Sequence, residues 1–240
     1  PASIDNNLPG SELSIGTDTA LNNAVVALDS IKLSAAASHR CFVAEVMGRK
    51  CGYLSLMSGL ATGAEKVYLN EEGITLKGLA ADSERMVESF RSGRSLYLVI
   101  RNERASVNYT TDVLAHIFAE EGKGLYDVRE AILGHQQQGG SPTAFDRLMA
   151  TKLVAHSLEL LACALKRGEP KASYVGLIRG KVSDHPLDRM NDDLDRDHRR
   201  PRHQWWLGLR PAVGLVSQDI GTLTLQDVPD FGEAVDDAAS

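Results

Sequence analysis

Cys41-Phe-Val-Ala-Glu-Val-Met-Gly-Arg-Lys-Cys-Gly52 is the stretch that decides the fold. Its first part is an apolar run with β-branched and aromatic residues, which reads as a buried strand. The run stops at Gly48. Arg49 follows, and Tyr53, Leu54, Met57, Leu60 and Ala61 then recur at helical spacing, so a helix is predicted from Arg49 to about Gly63. A cation therefore stands where a strand hands over to a helix. Open α/β sheets bind ligands at the carboxyl ends of their strands, and helix N-termini favour anions. Arg49 is a candidate anion ligand; the plainer reading is a surface arginine in a tight turn.

On the N-terminal side, Ser38-His-Arg40 leads into the strand, so Arg40 and Arg49 bracket it. A strand of that length keeps the two apart. Either they hold different parts of a ligand or one serves a neighbouring subunit. Residues 1–16 are polar and turn-rich, and Asp5, Asn6 and Asn7 fall together there. A plain loop with Asx-turns is the commoner outcome. Gly16-Thr-Asp-Thr19 opens a predicted helix running to about Ala36, with Thr17 or Asp18 as its cap.

On the C-terminal side, Lys66 to Leu69 reads as a short strand. Leu76 to Phe90 is an amphipathic helix with Leu76, Leu79, Ala80, Met86, Val87 and Phe90 on one face, closed by Gly93. Leu96 to Ile100 is the clearest buried strand, with Arg101, Asn102 and Glu103 at its carboxyl end. Val113 to Glu121 reads as a helix, and Tyr126 to Leu133 returns to the sheet carrying Arg129. In Gly134-His-Gln-Gln-Gln-Gly-Gly-Ser-Pro142 the glycines allow close approach of backbone to a ligand. Ser141 and Pro142 are the expected cap and first residue of a long helix, with Phe145, Met149, Val154, Leu158, Leu161 and Leu165 at helical spacing as far as Gly168. Val175 to Ile178 is a last strand. Residues 184–203, taken alone, read as a solvated linker, and Gln204-Trp-Trp206 begins an amphipathic segment through Leu209 and Val213. The alternation predicts an α/β fold, a parallel sheet with helices on both faces.

The 240 residues suffice for one large or two small domains. A net charge of −6 argues against a nucleic-acid binder. Hydrophobic content of 43% and charged content of 24% suit a globular protein, with no apolar run of membrane-spanning length and no basic-then-apolar leader. Cys41, Cys51 and Cys163 show no CxxC spacing; Cys41 and Cys163 read as buried thiols of a cytoplasmic protein. Because Pro1 is not an initiator, a fragment is expected. Residues 1–226 read as one unit, and the acidic residues 227–240 as a disordered tail.

Asp5, Arg40, Arg49, Glu103, Arg129, His135 and Arg199 fall at strand ends, helix starts or in the charged run. Arginine holds phosphate through a bidentate fork, at roughly 1.5–3 kcal/mol per charge-assisted bond. Carboxylates suit sugar hydroxyls, so the set fits a phosphorylated sugar. There is no GxxxxGK[ST] loop, no GxGxxG fingerprint, no HExxH and no Ser/His/Asp signature. A nucleotide loop, if the fold uses one, is expected upstream of Pro1.

Five stretches taken together resemble ATP-dependent 6-phosphofructokinases: Ser3-Ile-Asp-Asn-Asn7; Gly16-Thr-Asp-Thr-Ala-Leu21; Val46-Met-Gly-Arg-Lys-Cys-Gly-Tyr53; Gly134 to Pro142 with Phe145-Asp-Arg147; and Gln204-Trp-Trp206 with Leu209-Arg-Pro211. The resemblance runs from Pro1 to about Val216 and implies part of the three-layer, parallel-sheet phosphofructokinase fold. Eukaryotic members are tandem duplications. This chain is similar to the C-terminal, regulatory half of a fungal-type enzyme, which binds fructose 2,6-bisphosphate rather than catalysing. Two departures point that way: Asn7 stands where the catalytic pattern has Asp, and Gln138 where it has Arg. Asp5 matches the family's catalytic base and is retained.

The resemblance implies a sugar-bisphosphate site built from Ser3, Ile4, Asp5, Asn6, Asn7, Met47, Gly48, Arg49, Glu103, His135, Gln136, Gln137 and Gln138. Arg129 and Arg199 would be phosphate ligands, and Arg40 would reach in from another phosphofructokinase subunit. For the whole enzyme it implies ATP, Mg2+ and fructose 6-phosphate, with no nucleotide or metal held within this stretch. The alternatives are a catalytic half with Asp5 as base and a fragment that binds nothing.

Overall fold

The structure is a computed structural model that describes residues 1–35, 38–168 and 172–217. Helix α1 (Thr17–Ala35) precedes strand β1 (Arg40–Val46). Then come α2 (Tyr53–Thr62), β2 (Lys66–Tyr68), α3 (Leu76–Arg91), β3 (Leu96–Asn102), α4 (Thr111–Gly122) and β4 (Asp127–Ile132). These four strands form one parallel sheet in the order β2-β3-β1-β4. Beyond it lie α5 (Ala144–Arg167), the antiparallel hairpin β5 (Ser173–Ile178) and β6 (Lys181–Pro186), α6 (Arg189–Asp193), the two-residue strands β7 (Leu194–Asp195) and β8 (Arg200–Pro201), and α7 (Ala212–Val216).

The strand periodicity of two explains the layers. Phe42, Ala44 and Val46 of β1 and Leu98 and Ile100 of β3 pack against α1 and α2, together with Trp206 and Val213. Their alternates Cys41, Val43, Tyr97 and Val99 pack against α3 and α4 through Met86, Phe90, Leu114 and Phe118. The α/β, three-layer arrangement expected from the alternation is present over β2, β3 and β1. Strand β4 departs from it: four of its six residues are exposed, including Ile132, so it forms an open edge.

Several local expectations need correction. Helix α2 begins at Tyr53, because Gly48 (φ 141°) and Arg49 (φ 41°) fold back into a tight turn closed by Cys51 N–H donating to the Gly48 carbonyl. Strand β3 continues through Asn102, so Arg101 is buried and ion-paired with Glu45 at 2.8 Å rather than presented at the strand end. On α3 the buried face is Leu79, Asp82, Ser83, Met86 and Phe90, while Leu76 and Ala80 face solvent. Asp82 goes inside because Lys66 and the Tyr68 hydroxyl meet its carboxylate.

Helix α5 is capped by Thr143, whose hydroxyl accepts from Asp146 N–H, two residues after the expected Ser141. Met149 and Leu153 are its buried apolar residues; Phe145, Val154, Leu158, Leu161 and Leu165 are exposed. Cys163, expected inside, is on that exposed surface. By length and composition α5 is apolar enough to cross a membrane, although charged and polar residues interrupt its apolar sequence. Residues 184–203 are not an irregular linker: they hold part of β6 together with α6, β7 and β8. The predicted acidic tail lies outside the described residues.

Candidate functional site

The carboxyl edge of the sheet gathers three distant segments. Strand β1 ends in Met47-Gly48-Arg49, β3 ends next to Glu103, and residues 134–137 form a 3₁₀ turn after β4. Glu103 Oε1 accepts from Arg49 N–H at 2.7 Å and from Gly48 N–H at 3.3 Å, and Gln137 Oε1 accepts from Met47 N–H at 2.9 Å. The turn is thus clamped through its backbone, leaving the Arg49 side chain exposed. Gly48 is required by geometry: a Cβ there would lie 2.4 Å from the Cys51 carbonyl oxygen. Gln137 is buried, and its Nε2 has no hydrogen-bond partner among the described residues.

The 3–7 loop lies beside this turn. Ser3 Oγ donates to Asn7 Oδ1 at 2.6 Å and accepts from Asp5 N–H. Asn6 takes a left-handed φ of 54°, donates to the Glu12 carbonyl and accepts from Ser14 N–H, so its side chain shapes the loop. Ile4 packs into the core. Asp5 is 7% exposed. Burial, and then the nearby Glu103 carboxylate, push its carboxyl above the ordinary range, with Arg49 opposing them. Two carboxylates and one guanidinium, from positions 5, 103 and 49, therefore share one electrostatic environment.

His135, Gln136 and Gln138 are exposed on the 3₁₀ turn and the residue after it. Helix α1 holds that turn in place: Asn23 Nδ2 donates to the Gln137 and Gly139 carbonyls. Asp146 of α5 caps α1 itself, accepting from Gly16 N–H at 2.9 Å and Thr19 N–H at 2.8 Å. Of the two expected caps, Thr17 instead donates its hydroxyl to the Ser3 carbonyl and Asp18 accepts from the Thr143 hydroxyl.

Residues 1–161, about two thirds of the chain, match the Phosphofructokinase family model. The chain belongs to the phosphofructokinase family. It is 46% identical over 229 residues to an ATP-dependent 6-phosphofructokinase of Dictyostelium discoideum, covering 95% of this chain and 27% of that protein. It is 41% identical over 229 residues to the muscle-type human enzyme, covering 91% of this chain and 29% of that protein. The solved phosphofructokinase of Saccharomyces cerevisiae aligns with a TM-score of 0.85 at 35% identity, covering 90% of this chain and 30% of that one. The chain thus spans under a third of the length of these phosphofructokinases.

Within this phosphofructokinase fold, the predicted residues separate into two groups. Asp5, Met47, Gly48, Arg49, Glu103 and Gln137 come together at the carboxyl edge. Arg40 begins β1 at the opposite edge, and Arg129 pairs in register with Phe42, one turn of the pleat away on the same sheet face. Arg129 is largely exposed and ion-paired with Asp127 at 3.5 Å. Arg199 lies in the β7–β8 turn, exposed, with a left-handed φ of 54°.

The anion expected at the start of α2 is already internal. Glu71 accepts from Gly52 N–H at 3.0 Å and 3.1 Å. Glu71 also meets Arg200 at 3.1 Å. Sequence reading missed both residues. Arg200 was visible in the charged run, and its neighbour Pro201 could have marked an extended segment.

A cleft of about 1000 Å3 opens at the opposite edge, lined by Glu65, Lys66, Asp82, Arg85, Arg94 and Arg210. Each of its cations is paired with a carboxylate. Among the described residues, no three His, Cys, Asp or Glu side chains converge as metal ligands.

Proposed function

We propose that this chain is the effector-binding portion of a 6-phosphofructokinase, which transfers phosphoryl from ATP to fructose 6-phosphate in glycolysis in the cytoplasm. Its ligand is fructose 2,6-bisphosphate, held at the carboxyl edge of the sheet. The observation that carries the reading is the shared environment of Asp5, Glu103 and Arg49. The carboxylates suit sugar hydroxyls and the exposed guanidinium suits a phosphate. His135 to Gln138 extend the site on one side and Arg199 on the other. Arg40 and Arg129 lie too far along the sheet to join it, so both serve a second subunit's ligand.

The donor set argues against a magnesium–nucleotide site in this stretch. Asn7 replaces a carboxylate and its amide oxygen is engaged by Ser3, which leaves Asp5 as the one carboxylate of the 3–7 loop. Gln138 replaces a cation that would stabilise transition-state charge. When bound elsewhere in the enzyme, Mg2+ and ATP supply the phosphoryl group and neutralise its charge.

The catalytic alternative rests on Asp5, whose raised proton affinity suits a general base. Asp5→Asn in the intact enzyme separates the two. Under the catalytic reading, maximal velocity falls by roughly 10²–10⁴-fold. Under ours, the change falls on the concentration of fructose 2,6-bisphosphate needed for half-activation.

A further inference from the structure

We infer that the half-buried Glu71–Arg200 ion pair is a latch that positions Arg199 against the Met47–Arg49 turn, and so sets the affinity for a sugar bisphosphate without touching it. The inference rests on the reading of the site given above. Glu71 and Arg200 have side-chain exposures of 6% and 13%, and their charged atoms meet at 3.1 Å. Arg200 Nη1 also donates to the Lys50 carbonyl at 2.9 Å and to Asn70 Oδ1 at 3.1 Å. Glu71 in turn accepts from Gly52 N–H and from Gln204 Nε2 at 3.0 Å. One carboxylate therefore joins the turn before α2, the loop after β2 and the segment that follows β8.

The segment needs such a tether. Strands β7 and β8 have two residues each, and a ladder that short does not hold itself in place. Its exposed turn carries Asp197, His198 and Arg199. Lys50 clasps the turn from both ends: Nζ donates to the Asp197 carbonyl at 2.8 Å, and its own carbonyl accepts from Arg200. Lys50 is the neighbour of Arg49, and Arg200 is the neighbour of Arg199. Two solvent-facing arginines are held in mutual register by bonds between the residues next to them.

The pair has the character of a latch because loss of one partner leaves a charge that is largely shielded from water without compensation. A half-broken state is disfavoured, so the turn is either docked or released. The two tryptophans of the chain, Trp205 and Trp206, follow Gln204 directly. Trp206 packs edge-on against Tyr53, the first residue of α2, at 5.9 Å. Tryptophan emission therefore reports on this docking.

The test is calorimetric titration of fructose 2,6-bisphosphate into the intact polypeptide that carries this chain. Arg200→Gln weakens binding by about tenfold or more, since small displacements of a ligand-holding group are amplified in this way. Arg200→Lys, which keeps the charge, loses less. Glu71→Gln, which keeps an acceptor for Gly52, weakens binding as well, and the double variant Glu71→Gln/Arg200→Gln is no weaker than the worse single one. Tryptophan emission of ligand-free Arg200→Gln moves to longer wavelength. Wild-type affinity in Arg200→Gln, alongside weakened binding in Arg49→Ala, overturns the latch and leaves the site standing. Additive losses in the double variant overturn it too. Wild-type affinity in Arg49→Ala overturns the site reading itself. Should Arg200→Gln fail to fold, Arg200→Lys decides: wild-type affinity in the folded protein overturns the latch.

Discussion

Glu103 Oε1 accepts from the backbone N–H of Arg49 at 2.7 Å, and the same oxygen accepts from Gly48 at 3.3 Å. The carboxylate fixes the turn that presents Arg49 while raising the proton affinity of Asp5. Glu103→Ala leaves two amides without an acceptor and costs about 1–3 kcal/mol, read from urea unfolding. Glu103→Gln keeps an acceptor and costs less.

Gly48→Ala is expected to be worse than any surface change in this region. Its φ of 141° strains an L-residue, and the new methyl would press on the Cys51 carbonyl and on Asn102 Nδ2 at 2.8 Å. A loss of about 2 kcal/mol or more follows, with weakened sugar-phosphate binding. Denaturant midpoints and a binding isotherm check both.

Asp5 gives a pH dependence of known sign. Its folded-state proton affinity is raised above the ordinary value of 3.8, chiefly by burial and then by Glu103. The native state therefore binds more protons than the unfolded one, and Asp5 makes stability fall as pH rises through and above that value. Asp5→Asn removes this contribution. Its melting temperature should exceed that of the wild type at neutral pH, and the difference should shrink on acidification toward pH 3.8. Thermal melts across that range measure it.

Asp146 reaches from α5 to cap α1, with bonds to Gly16 N–H, Thr19 N–H and the Thr19 hydroxyl. Asp18 answers by accepting from the Thr143 hydroxyl at 2.6 Å. Asp146→Ala should cost about 2 kcal/mol, and Asp146→Asn less. Because α1 holds the 3₁₀ turn through Asn23, the loss should also reach the environment of His135, visible in its imidazole chemical shift.

On α5 the two faces should respond oppositely. Leu153 is buried, and Leu153→Ala is expected to cost about 2–5 kcal/mol. Leu158 is 61% exposed, so Leu158→Ala should stay within about 0.5 kcal/mol. Chemical denaturation of the two variants in parallel tests the assignment.

The elements that were legible in the sequence are those whose periodicity is enforced by burial on both sides. β1 and β3 are sandwiched between helices, so their apolar runs announced them, and Gly48 announced the turn. The exposed face of α5 was not legible, because helical spacing of Leu158, Leu161 and Leu165 shows only that they share a side. The departure of α2 from Arg49 was hidden because Arg49 adopts a left-handed φ with no glycine to signal it. In the site, Asp5, Arg49 and Glu103 were readable as charged residues at element ends. Glu71 and Arg200 were not, since their importance lies in long-range pairing that no local pattern encodes. Arg129 carried no local sign of sharing a sheet face with Arg40, which appears only when the register of β1 and β4 is known.

The central claim is that Arg49 presents an anion site for a regulatory sugar bisphosphate. It is tested most directly by titrating fructose 2,6-bisphosphate calorimetrically into the intact polypeptide and its Arg49→Ala variant. We expect saturable binding in the wild type, weakened in the variant by about 10- to 100-fold, the loss of one charge-assisted bond. No binding by the wild type, or equal affinity in the two proteins, would contradict the account.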